Sequence, residues 1–297
     1  MVGVEMQHIK DVEVVLYDPN QDLRMMIHGI LRDSGFVEIV STERAEAVRK
    51  HLEEGHVDLL IGDVHAETSA ICALLGDVRH GRLGEDPFPV AIGLTSDADE
   101  KTIAKISNAG FDGLALKPFD SLTFRRRVEY YLEHRKPFVT TADYVGPDRR
   151  KNPGKPGVDS NCIDVPNPLR LITEGVSRDT VEQRIETAAG TLDERKFVSD
   201  IGGVGWCAEK LAEAIRNNDA ELAERCIRQL NGIARDMDDR LERTPYGHVH
   251  EACNSLLGVA ARLEQAPVGP DMKDVKRLGD LAQAIARSCN VDRPHAA

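Results

Sequence analysis

The sequence predicts an α/β fold, a doubly wound five-stranded parallel sheet, followed by an all-α helical bundle. Two observations support this prediction. In the first half of the chain short apolar runs alternate with amphipathic segments, whereas from Ser177 onward only helical periodicity remains. A chain of 297 residues also exceeds what one ordinary core fills, so two domains are expected.

The predicted strands are short and almost continuously apolar, and they lie at 12–17, 37–40, 58–62, 90–94 and 113–116. Segments with apolar residues every three or four positions separate and follow them, at 22–33, 43–54, 67–82, 99–109 and 121–134. Strands without polar alternation are typical of a parallel sheet that is covered by helices on both faces. We therefore assign 10–136 to the α/β domain.

The segment 137–174 contains PFVTTADYVGPDRRKNPGKPGVDSNCIDVPNP, whose proline and glycine content predicts an irregular linker. A basic stretch, GPDRRK, lies within it. Its arginines fit two interpretations, the binding of an anionic nucleotide or acidic partner surface and the simple solvation of a linker.

The remainder, 175–297, is predicted to be a helical bundle. Apolar stripes run along 222–241, 252–263 and 272–289, and the segment around 201–215 supplies a fourth helix. Asn218 and Glu221 have the spacing of a capping box at the start of one helix. The six cysteines occur singly without a C-x-x-C pair, which indicates small core residues in a reducing compartment.

Charge and hydropathy limit the class of protein. The formal net charge of −12 argues against a nucleic-acid binder, because that function needs a basic face. No apolar run approaches the roughly 18 residues of a membrane helix, and the N-terminal residues lack the pattern of a secretory signal. We expect a cytoplasmic protein that binds neither nucleic acid nor membrane.

Polar side chains follow four of the predicted strands. Asp18, Asp63, Thr95 and Lys117 each lie within about one residue of a strand's carboxyl end, where doubly wound sheets bind ligands. These side chains supply the groups that phosphoryl transfer to a carboxylate needs: a nucleophile, a ligand for a divalent cation, a hydroxyl and a neutralising amine.

The stretches VVLYDPNQDLR, DLLIGD, GLTS and NAGFDGLALKPF carry these residues. With them the first part of the chain resembles the chemotaxis-type receiver domain of bacterial two-component response regulators, which has a flavodoxin-like fold. The resemblance implies that Asp63 is the phosphoacceptor and that Thr95 and Lys117 are catalytic. It also implies a Mg²⁺ ion held by Asp18, Asp63 and the backbone carbonyl of His65, and a phosphohistidine donor on a histidine kinase or phosphotransfer protein.

Two positions depart from the receiver pattern. Pro19 stands where receivers usually carry a second acid, and its presence is expected to weaken Mg²⁺ binding. Leu114 stands where many receivers carry an aromatic switch residue. The sequence therefore leaves an alternative open, an atypical receiver that acts as a phosphorylation-independent adaptor or scaffold. The helical domain carries no catalytic output motif, so we expect no enzyme activity from it, only binding to another protein or to a second copy of itself.

Two other family patterns match the sequence only in part. Asp63-x-His65 resembles the start of a cobalamin-binding signature, but Thr68 stands in place of its glycine. His248 and His250 suggest a histidine-phosphotransfer helix, but Cys253 and Asn254 replace the lysine and glycine of that motif.

Overall fold

The computed structural model describes residues 8–64, 70–150, 162–265 and 270–290. The chain divides into two compact units, each described here by itself. The N-terminal unit consists of Met1–Val139 and Tyr144–Ala189, and the helical unit consists of Thr140–Asp143 and Gly190–Ala297.

The N-terminal unit contains the predicted parallel sheet. Its strands are β1 Glu13–Tyr17, β2 Glu38–Thr42, β3 Leu59–Asp63, β4 Val90–Thr95 and β5 Gly113–Leu116. They pair in parallel in the order β2-β1-β3-β4-β5. The order reverses between β1 and β3, which places a ligand crevice at the carboxyl ends of these strands. The predicted fold class is confirmed.

Helices connect the strands, and each lies within a few residues of its predicted position: α1 Gln21–Asp33, α2 Ala45–Glu54, α3 Ala70–Arg79, α4 Glu100–Asn108 and α5 Ser121–Glu133. Side-chain caps fix three of their starts. Asn20, Asp99 and Asp120 each accept a hydrogen bond from a backbone N–H three residues later. These hydrogen bonds lower the pKa of Asp99 and Asp120.

The segment expected to be an irregular linker contains regular structure in its described residues. Three short strands, β6 Phe138–Thr140, β7 Val145–Pro147 and β8 Cys162–Ile163, form a second sheet in the order β7-β6-β8. A short helix, α6 Pro168–Thr173, follows. The compact N-terminal unit thus includes 144–189 and does not end at 136.

Phe138 explains why this segment is ordered. Its ring is fully buried, with the guanidinium groups of Arg79 and Arg135 at 4.9 and 5.1 Å from its centroid. Cation–π contacts of desolvated guanidiniums stabilise by about 2 kcal/mol. Proline and glycine content predicts a loop, and composition alone contains no information about such long-range contacts.

The helical unit contains part of α7 Arg178–Asn217 and all of α8 Ala220–Leu241, α9 His250–Gln265 and α10 Met272–Ser288. The predicted apolar stripes form its core, and all six cysteines of the chain are buried, as expected. The predicted cap is off by one residue. Asp219 accepts the hydrogen bond from Leu222 N, while Asn218 adopts a left-handed conformation with φ 54°.

The segment Thr140–Asp143, called the 140–143 loop although its first residue also ends β6, belongs to the helical unit. Its chain neighbours on both sides do not. Lys196 Nζ donates to the Ala142 carbonyl at 3.1 Å, and Ser199 Oγ donates to the Thr140 carbonyl at 3.2 Å. The Gln229 amide donates to both carboxylate oxygens of Asp143, at 2.8 and 2.9 Å. The loop is therefore hydrogen-bonded to both α7 and α8.

Gly203 on α7 makes room for this loop, and its replacement is a test of the packing. A Cβ atom at residue 203 would lie 2.6 Å from Ala142 Cβ and 3.0 Å from Ile233 Cδ1, whereas at Gly205 nothing lies within 4 Å. Gly203→Ala is expected to lower the free energy of unfolding by about 1–3 kcal/mol through overpacking. Gly205→Ala is expected to raise it by about 0.5–1 kcal/mol, since alanine is the better helix former. Urea titration followed by circular dichroism measures both, and equal effects at the two positions would contradict the described loop packing.

Within the ranges that the structure describes, no helix combines the length and apolar character that crossing a membrane requires.

Candidate functional site

The carboxyl ends of β1, β3, β4 and β5 bring the four predicted residues to one edge of the sheet. Asp63 ends β3 and pairs in register with Leu94, next to Thr95 at the end of β4. Asp18 follows β1, and Lys117 follows β5. The convergence expected from strand position is thus present in the fold.

Lys117 connects the two carboxylates. Its Nζ donates to Asp18 Oδ2 at 2.7 Å and to Asp63 Oδ1 at 2.5 Å. The side chains of Lys117 and Asp63 are each 14% exposed and that of Asp18 is 1% exposed. Two carboxylates this sheltered from water need a shared cation, because unpaired charges in a low-dielectric site are costly.

Further groups surround Asp18. The Asn20 backbone N–H donates to Asp18 Oδ1 at 2.8 Å. Arg24 Nη1 donates to the Asp18 carbonyl at 2.5 Å, and Arg24 Nη2 lies 3.3 Å from a Glu43 carboxylate oxygen. Arg24 was not predicted as a site residue. A cation in the first turn of the first helix is a weak indication in the sequence, and it does not specify this contact.

Tyr17 precedes Asp18 at the end of β1. Burial raises the pKa of the Tyr17 phenol, and the negative charges of Asp63 and Asp18 raise it further. The phenol therefore stays neutral and is not a source of additional negative charge at this edge.

Thr95 lies at the predicted place, but its hydroxyl bonds locally. The side chain is buried, and its Oγ1 donates to the Asp97 carbonyl at 3.2 Å and accepts from the Asp97 N–H at 3.1 Å. The Lys117 N–H donates to the Thr95 carbonyl at 2.7 Å. The backbone thus couples β4 to the lysine, while the hydroxyl is engaged with the loop that follows β4.

The predicted metal ligands fit Mg²⁺ in part. Asp18 Oδ2 and Asp63 Oδ1 both accept a hydrogen bond from the Lys117 amine, so the two carboxylates lie close enough to share a cation. Mg²⁺ is commonly bound by one or two carboxylates and keeps several waters, so this oxygen pair suits it. Pro19 contributes no side-chain oxygen, and His65 lies outside the described residues. The described part of the chain holds no group of three or more acidic, histidine or cysteine side chains arranged for a metal.

The remaining sequence candidates lie elsewhere. His248 and His250 are exposed near the start of α9, where Nε2 of His248 is 3.1 Å from the Ser288 carbonyl. Leu114 is partly buried in β5. The cobalamin interpretation depends on His65, which is not among the described residues.

Comparison with known proteins identifies the α/β part. No family model matches the chain. An uncharacterized 14.6 kDa protein of Leptolyngbya boryana is 31% identical over 126 residues, which are 42% of this chain and 94% of that protein. The chemotaxis protein CheY of Pseudomonas aeruginosa is 25% identical over 122 residues, 41% of this chain and 97% of CheY. The N-terminal part of this chain belongs to the CheY-like receiver family.

The receiver domain also has relatives inside larger proteins. The CAI-1 autoinducer sensor kinase/phosphatase CqsS of Vibrio cholerae is 26% identical over 107 residues, and the match spans only 15% of CqsS. These matches cover about 40% of the chain at its N-terminal side, and the helical unit stays unassigned. The resemblance drawn from the sequence motifs is confirmed for the receiver domain.

Proposed function

We propose that this protein is a response regulator of a phosphorelay. Asp63 accepts a phosphoryl group from the phosphohistidine of a histidine kinase or phosphotransfer protein, and the signal passes to a downstream protein that binds the helical unit or to a second copy of the chain. The observation that carries the proposal is the single Lys117 amine bonded to both Asp18 and Asp63.

The transfer step follows from these groups. An Asp63 carboxylate oxygen attacks phosphorus, an O–P bond forms, and the P–N bond to the donor imidazole breaks as that nitrogen takes the electron pair and then a proton. Lys117 moves from the Asp63 oxygen to a phosphoryl oxygen and neutralises part of its charge. A bound Mg²⁺, which Asp18, Asp63 and the His65 carbonyl would hold, supplies further neutralisation.

Thr95 supplies a switch between two states. Its hydroxyl is bonded to Asp97 in the present state, and a phosphoryl group on Asp63 offers it a charged acceptor instead. Charged acceptors form stronger hydrogen bonds than neutral ones. Phosphorylation therefore favours a conformation in which Thr95 leaves the loop, which shifts a pre-existing equilibrium.

The regulator is proposed to act in the cytoplasm, without binding nucleic acid or membrane, and to have no enzyme activity beyond its own phosphoryl transfer. One observation favours a second candidate, the phosphorylation-independent adaptor. Pro19 leaves the pocket with one carboxylate fewer than receivers usually have, and Lys117 already offsets one of the two negative charges that remain.

Labelling of the full chain by radioactive acetyl phosphate with Mg²⁺ decides between the two candidates. Wild type is expected to incorporate label, and Asp63→Asn is expected to incorporate none because the amide is not a nucleophile for phosphorus. Asp22→Asn removes an exposed carboxylate from α1 and serves as the matched control that keeps labelling. Label in Asp63→Asn would place the nucleophile elsewhere, and an unlabelled wild type that also fails to bind beryllofluoride would favour the adaptor.

A further inference from the structure

A groove in the N-terminal unit lies apart from the phosphorylation site. It has a volume of about 660 Å³ and runs between α5 and the Pro147–Arg149 segment. Pockets for small molecules typically have volumes of roughly 300–1,000 Å³. The residues that matter for its chemistry are Arg127, Tyr130, Tyr131, His134, Lys136 and Arg149.

The groove carries positive charge in a chain whose formal net charge is −12. Arg127, Lys136 and Arg149 are exposed cations on its lining. Asp112, which also lines it, is already paired with Arg79 at 3.0 Å and Arg135 at 3.3 Å. Glu133 is the one other acidic residue among the described residues of the lining, against three exposed cations. The lining therefore attracts anions.

The arginine-bearing side of the groove is held in place. The Asp148 N–H donates to the Pro137 carbonyl at 2.8 Å, and the Tyr144 hydroxyl donates to the Pro147 carbonyl at 3.0 Å. The buried Asp148 carboxylate accepts from Arg150 at 2.7 Å, and Arg149 donates to the Phe111 carbonyl. A site whose groups are already ordered loses less entropy when a ligand binds.

Aromatic rings form the other side. Tyr130 is 50% exposed, and its ring stacks on His134 with centroids 4.6 Å apart and planes inclined by 8°. Tyr131 lies edge-on to Tyr130 at 5.1 Å, and its hydroxyl donates to the Asp112 carbonyl at 3.2 Å. Such a fixed aromatic surface accepts a planar base by stacking, which is worth about 1–3 kcal/mol per base.

We propose that this groove binds a nucleotide, with its phosphates against Arg127, Lys136 and Arg149 and its base on Tyr130. Cations beside a stacked aromatic surface match both parts of a nucleotide, whereas an acidic peptide would use only the cations. The site does not involve Asp63 and so goes beyond the proposed phosphorelay function.

Isothermal titration of the full chain with ATP tests the proposal. Wild type is expected to bind ATP more tightly than inorganic tripolyphosphate, and Arg149→Ala and Tyr130→Ala are each expected to weaken ATP binding about tenfold. Arg126→Ala removes an exposed arginine of α5 that does not line the groove and is expected to leave ATP binding unchanged. Arg127→Ala gives a second variant if Tyr130→Ala fails to fold, as judged by circular dichroism.

Three results would overturn the proposal: no ATP binding at millimolar concentration, tripolyphosphate binding as tightly as ATP, or a hexaglutamate peptide binding more tightly than ATP. The last result would assign the groove to an acidic protein partner. Asp63→Asn is expected to bind ATP as wild type does, so this outcome is separate from the outcome of the labelling experiment.

Discussion

Replacing Lys117 with methionine is expected to lower the rate of phosphoryl transfer to Asp63 by about 10²–10³-fold, the usual loss when one preorganised donor to a developing charge is removed. Methionine has similar length but no charge, so two carboxylates that now share one amine would face the incoming phosphoryl group without a cation. The initial rate of labelling by acetyl phosphate measures the effect. Slow labelling of this variant would also distinguish it from Asp63→Asn, which is expected to incorporate no label.

Lys50→Met provides the control for the loss of one positive charge. Lys50 lies on α2, and its side chain is 70% exposed. Its amine lies 3.7 Å from a carboxylate oxygen of Glu54, which is also exposed. Its replacement is expected to leave the rate unchanged. A rate for Lys117→Met within about threefold of wild type would contradict the role given to the amine and would make the Lys117 contacts purely structural.

Replacing Arg79 with methionine is expected to lower the free energy of unfolding of the N-terminal unit by about 3–5 kcal/mol, the usual cost of breaking a buried ion pair by removing one partner. Arg79 is fully buried and donates to the Gly110 carbonyl at 3.0 Å, the Pro87 carbonyl at 2.6 Å and Asp112 at 3.0 Å. Burial lowers the pKa of Arg79 to about 10, against the opposing effect of Asp112. Urea titration followed by circular dichroism measures the loss.

Arg82→Met tests whether the loss of free energy of unfolding expected for Arg79→Met depends on the burial of Arg79. Arg82 lies close to Arg79 in the chain, and its 3.0 Å pair with Asp77 is exposed, with side chains 41% and 34% accessible. Exposed pairs contribute about 0–1 kcal/mol, so this variant is expected to unfold almost as wild type does. Similar losses for the two variants would show that Arg79 does not act through its buried contacts.

Much of the receiver fold follows from local patterns in the sequence. Apart from Gly93 and the terminal Thr95, every residue of Val90–Thr95 is apolar. This local pattern is enough to predict a strand buried on both faces. The meeting of Asp18, Asp63 and Lys117 follows from strand order, because the carboxyl ends of parallel strands share one edge.

Contacts that depend on tertiary packing or on the exact conformation of a loop were not predictable. Phe138 is ordered by Arg79 and Arg135, and no spacing in a segment rich in proline and glycine indicates that contact. The Thr95 hydroxyl bonds to the Asp97 backbone, a choice set by loop conformation rather than by residue type. Arg24 reaches the Asp18 carbonyl through the turn that precedes α1, which the strand and helix boundaries alone do not specify.

The loop Thr140–Asp143 makes the helical unit discontinuous along the chain. A C-terminal fragment that starts at residue 175 or 190 lacks that loop. In such a fragment the fully buried amine of Lys196 loses the Ala142 carbonyl, and Gln229 loses the Asp143 carboxylate. No single cut separates the two units with both intact. A faithful fragment of the helical bundle would have to reconnect 140–143 to its helices, for instance by a short engineered bridge.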